Sequence, residues 1–87
     1  MTEVRFTPRA ESLLNNLQEE TQERIKSDLR DARESPEREL EPVQGFDYYK
    51  LRTGDYRTLI DWEKDDDVLW VFALGHRSVV YDRHLPP

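Results

Sequence analysis

Hydrophobic and polar positions alternate at the start of the chain: Val4 and Phe6 are interleaved with Glu3 and Arg5. That period of two suits a short strand with one face turned inward. Thr7 and Pro8 then read as a helix opening, a hydroxyl at the N-cap followed by a proline at the first helical position, where its missing N–H costs nothing. Ala10, Leu13, Leu14 and Leu17 follow at helical spacing and predict a first helix from Pro8 to about Leu17. Thr21 is placed to cap a second helix, with Ile25, Leu29 and Ala32 as its apolar stripe and an end near Ser35, ahead of Pro36. Two helices joined this closely form an antiparallel hairpin, and their combined stripe needs a surface to cover it.

Pro36 to Gly45 mixes prolines, a glycine and charges, and reads as an irregular crossing. Beyond it the composition shifts to aromatic and β-branched residues. Phe46 to Arg52 and Asp55 to Trp62 predict a hairpin turning at Thr53 and Gly54. Glu63 to Asp67 makes the next turn, and Val68 to Leu74 is apolar on both faces, as a central strand requires, with Gly75 ending it. The expected fold class is α+β in a single domain over residues 1–87: an N-terminal strand, then a two-helix antiparallel hairpin packed on a mainly antiparallel sheet of about four strands. One face of that sheet is left for a ligand.

Composition sharpens this picture. The chain has 87 residues and no cysteine, so packing must hold it, and a reducing compartment fits. No segment has the apolar run of a membrane span, and the N-terminus is charged from Glu3, so the expectation is cytoplasmic with no membrane partner. Acidic residues outnumber basic ones 19 to 13, a formal charge of −6 that taken alone argues against nucleic-acid binding. Distribution qualifies it: Glu63, Asp65, Asp66 and Asp67 sit in one turn, which leaves the later basic residues able to form a local positive pocket. The basic set is 10 Arg and 3 Lys, and an acid-rich surface poor in Lys suits a protein working at high salt. Asp65 to Asp67 lacks the spaced acids and glycine of a calcium loop, and no phosphate loop, dinucleotide fingerprint or serine elbow is present. No metal or cofactor is expected.

Alternation decides which side chains share a surface. Phe46, Tyr48, Lys50 and Arg52 are expected on one face, and Arg57 on the paired strand joins them, while Tyr49, Trp62 and Trp70 read as core or hairpin residues. The end of the central strand delivers Arg77 and Tyr81 to the margin of the same face, and His76, just before Arg77, reads as a local hydrogen-bonder or a proton shuttle. Cations at this density suit a phosphodiester: arginine offers planar bidentate donors, lysine a point charge, and tyrosine a hydroxyl on a ring that stacks on a base. Metal-free RNA cleavage needs a base near the 2′-OH, charge stabilisation at the phosphate and an acid at the leaving oxygen.

The stretch from Tyr49 through Lys50, Arg52, Gly54 and Tyr56 to Arg57, followed by Leu74-Gly75-His76-Arg77 and then Tyr81, resembles the core signature of the RelE/ParE toxins of toxin–antitoxin pairs. The resemblance implies two N-terminal helices against an antiparallel sheet. In the RelE branch it implies ribosome-dependent, metal-independent cutting of mRNA in the A site, with Lys50, Arg57, Arg77 and Tyr81 at catalytic or phosphate-binding places. Tyr48, Arg52, His76 and Arg83 are then the expected RNA-binding flank. Tyr48 stands where the family pattern has a second lysine, and the interval from Arg77 to Tyr81 is shorter than in some members. Implied partners are a cognate antitoxin protein, the ribosome and mRNA, with a monomeric free toxin and a hetero-oligomer with antitoxin. The alternatives are a ParE-like inhibitor of DNA gyrase and an inactive homologue that binds only its antitoxin.

Overall fold

The computed structural model describes residues 2–83, with side chains through Val80. Its elements in order are β1 (Glu3–Phe6), α1 (Pro8–Asn15), α2 (Glu19–Glu34), α3 (Pro36–Glu39), β2 (Glu41–Pro42), β3 (Tyr49–Thr53), β4 (Tyr56–Glu63), β5 (Val68–His76) and α4 (Arg77–Arg83). The strands form one sheet of five in the order β1-β5-β4-β3-β2. Strand β1 runs parallel to β5 and all other pairs are antiparallel.

The α+β expectation holds, and the differences have local causes. Thr7 caps α1 as read, its Oγ1 accepting from the Ala10 N–H at 3.2 Å. The second helix starts at Glu19 rather than at Thr21: Glu19 and Glu20 in the first turn favour the positive helix end. The Gln22 side chain donates to the Leu17 carbonyl at 2.8 Å and fixes the short link. The supposed irregular crossing contains α3, opened by the buried Pro36. The hairpin turn is Gly54-Asp55, with Gly54 at φ +58°, the left-handed region that favours glycine in so tight a loop.

Both helices pack on one face of the sheet. Ala10 and Leu14 from α1, with Ile25, Leu29 and Ala32 from α2, meet Leu51, Ile60, Leu69, Val71 and Leu74 from the strands. Each large apolar side chain buried there contributes about 1.5–3 kcal/mol. A second, smaller cluster lies across the sheet, where Val80 of α4 packs with Leu59, Ala73 and Val43, flanked by Tyr48 and Phe72. The second face is therefore partly roofed by a helix rather than left wholly open.

One irregularity positions everything on that second face. Leu59 pairs with Ala73 but Ile60 pairs with Val71, so Phe72 is an extra residue on β5, a β-bulge. Strict alternation would put Phe72 with Leu74 and Ala73 with Val71. Instead Val71 and Leu74 enter the helix-side core, while Phe72 and Ala73 both join the cluster on the other side.

Candidate functional site

The face opposite α1 and α2 is organised in three rows across the strands. The row nearest the β3–β4 hairpin holds Arg52, Arg57 opposite it, and Gly75 next to Arg57. The middle row holds Glu41, Lys50, Leu59 and Ala73. In the third, Asp61 pairs with Trp70 and Trp70 with Arg5, close to Tyr48 and Phe72.

The first two rows bring together Lys50, Arg52 and Arg57, because Lys50 and Arg52 share a strand face and Arg57 is the register partner of Arg52. Arg57 is only 6% exposed. Its Nη1 donates to the main-chain carbonyls of Gly54 at 2.8 Å and Tyr56 at 2.9 Å, so the guanidinium is anchored against the hairpin turn. Lys50 is half-buried in the row below. Arg52 is exposed and paired with Glu41 at 3.1 Å. Glu41 was not among the residues that the sequence pointed to, since its two-residue strand β2 falls in the segment read as irregular. Arg77, also exposed, opens α4 with its N–H bonded to the Asp55 carbonyl at 2.8 Å, which ties the helix start to the hairpin turn.

His76 and Tyr48 are placed differently from the expectation. The bulge shifts the register of β5, so Gly75 takes the place opposite Arg57 and His76 pairs with Tyr56, on the side of the helix core. The His76 ring stacks edge-on against Tyr56 at 5.6 Å and its Nδ1 lies 2.9 Å from the Ser78 hydroxyl. Tyr48 packs against Phe46 and Phe72 at 5.0 and 5.1 Å and joins the acidic row rather than the basic ones. Burial raises its phenol above the ordinary value. Trp70, expected in the core, is half-exposed on this face, whereas Trp62 packs on the helix side as read. The side chains of Tyr81 and Arg83 lie outside the described residues.

This arrangement offers a phosphodiester a short array of positive charge with one member rigidly held. Fixed donors need no reorganisation when charge develops, which is what stabilises a phosphorane-like transition state. No helix is long and apolar enough to cross a membrane among the described residues.

Residues 4–81 match the family model described as the ParE toxin of the type II toxin–antitoxin system, parDE. Among solved structures, the isolated Escherichia coli RelE toxin is 26% identical with a TM-score of 0.76, over 95% of this chain and 98% of that one. The toxin of the intact E. coli RelBE toxin–antitoxin complex is similar at 27% identity and a TM-score of 0.75, over 87% and 96% of the two chains. A chain of the RelBE2 toxin–antitoxin complex from Mycobacterium tuberculosis, at 23% identity, shares the fold with a TM-score of 0.81 over 87% and 98%. No curated protein matches the sequence significantly.

Proposed function

The chain belongs to the ParE toxin family of type II toxin–antitoxin systems, within the RelE/ParE superfamily, and on that premise we propose that it is an endoribonuclease that cuts mRNA in the ribosomal A site without a metal. The observation that carries this reading is the grouping of Lys50, Arg52 and Arg57 on one sheet face, with Arg77 tied to the same hairpin. Lys50 serves as base or charge stabiliser at the attacking 2′-oxygen. Arg57 and Arg77 hold the phosphate, Arg52 steers the strand, and Tyr81 is the acid or stacking group.

Anchoring of Arg57 to two carbonyls sets the place of its guanidinium before substrate arrives, and charge interactions in a nearly buried site are stronger than in open water. Lys50 and Arg77 meet the strand more directly. Dependence on the ribosome follows from how few groups are present: orientation alone supplies on the order of 7–11 kcal/mol, and the ribosome holds mRNA in a fixed geometry. The surplus of negative charge elsewhere suppresses indiscriminate RNA binding. The similar toxins solved with antitoxins support a cognate antitoxin as partner.

The ParE family match favours a second reading, inhibition of DNA gyrase by a shared fold. One experiment separates them: purified protein added to translating ribosomes, scored for transcript cleavage, beside a gyrase supercoiling assay. Cleavage that falls in Lys50→Ala and Arg57→Ala supports the nuclease. Undiminished cleavage in both variants removes the site, and loss of supercoiling without cleavage replaces the reading.

A further inference from the structure

The third row of the same face has a different chemistry. Tyr48, Trp70 and Phe72 wall a cavity of roughly 530 Å³ whose rim carries Asp47, Asp61 and Glu63. None of these three carboxylates makes a side-chain hydrogen bond or ion pair among the described residues. A phosphate strand is repelled here. A divalent cation is also a poor fit, because no three acidic or histidine side chains among the described residues come close enough to share one.

We propose that this cavity binds the guanidinium of an arginine in a basic polypeptide segment. Aromatic faces attract cations, and carboxylates at the rim accept the planar donors of guanidinium in pairs, a match that the more compact lysine ammonium makes less well. The chain already places one guanidinium at the edge: Arg5 lies 6.0 Å from the Trp70 ring, held from outside by Glu3 at 3.0 Å. A volume of this size accommodates a side chain with its aliphatic stem. The bulge at Phe72 supplies one wall, so the cavity is built by the fold rather than by a chance cluster of acids. This site is independent of whether the neighbouring basic rows cut RNA.

The test is an NMR titration of the free protein with a short capped oligoarginine peptide, following the indole N–H signals of both tryptophans. Saturable movement of the Trp70 signal, with Trp62 unmoved, is expected. The isosteric double variant Asp61→Asn/Glu63→Gln is expected to bind about tenfold more weakly. Glu23→Gln/Glu34→Gln removes equal charge from exposed positions on α2, across the sheet, and is expected to bind as the wild type. Equal weakening by both double variants would reduce the effect to bulk charge and overturn the proposal. So would a Trp70 signal that does not saturate, or one that a capped oligoglutamate or a short single-stranded RNA moves as well.

Discussion

The basic and acidic ends of one sheet face lie side by side on the same strands, yet their chemistry is opposite. Lys50, Arg52 and Arg57 occupy two rows, and Asp61 with Tyr48, Trp70 and Phe72 the next. Successive rows are about 7 Å apart, two residues of rise, so the extremes stand some 13 Å apart. The Debye length at physiological salt is about 8 Å, so exposed Arg52 in the first row is largely screened from Asp61 in the third, while Lys50 in the middle row stands within reach of both. A formal charge of −6 therefore does not describe what a ligand meets at either end. The lesson is that local register, and not net charge, selects the partner.

The sharpest way to break the comparison is to remove one charge from each end. Arg57→Ala is expected to lower ribosome-dependent cleavage by about 10²–10³-fold, the usual cost of a fixed transition-state donor, while Asp61→Asn stays within about threefold of wild type. Equal losses would deny that the two ends act separately. Because Arg57→Ala also strips the Gly54 and Tyr56 carbonyls of a donor, a stability loss of about 1–3 kcal/mol accompanies it, and a denaturation curve separates the two effects.

Leu59, fully buried between the ends, is their shared floor. Leu59→Ala is expected to cost about 2–5 kcal/mol in urea unfolding, with the cluster under Val80 and the aromatic cavity both loosened. A loss under 1 kcal/mol, by the same scale, would mean that the second face packs independently of this residue.

Smaller effects probe the surface. Glu41→Gln frees Arg52 and is expected to tighten short-RNA binding by about threefold in dilute buffer, an effect that fades as salt rises, since exposed pairs are worth at most about 1 kcal/mol. Filter binding across a salt series reads it directly, and an effect that persists at high salt would argue for a buried rather than a screened pair. Last, an acid-rich surface with only 3 Lys is expected to gain stability in molar KCl, through screening of Asp65 to Asp67 and the rim carboxylates. A melting temperature that falls on adding KCl would sink the high-salt reading.

Much of this was legible in the sequence. The Thr7-Pro8 cap, the Ile25-Leu29-Ala32 stripe and the alternation of Lys50 and Arg52 all have local causes, and each stands where its pattern placed it. Helix α3 and strand β2 were not legible, because segments of four and two residues carry too little periodicity to stand out from a loop. Glu41 was missed with them. Helix α4 was hidden as well: a run of Ser78, Val79 and Val80 reads as strand by composition, and packing of Val80 on Leu59 and Ala73 overrides that.

By itself, then, the amino-acid order determined the longer elements (β1, α1, α2 and β3 to β5), the helix-side core and the shared face of Lys50, Arg52 and Arg57, since these follow from periods of two and 3.6 residues. Tertiary structure alone decided how β5 meets that face. A single extra residue at Phe72 reverses the alternation of everything after it, turning His76 toward Tyr56 and setting Gly75 beside Arg57, and no periodicity in one strand announces which partner strand will skip a residue.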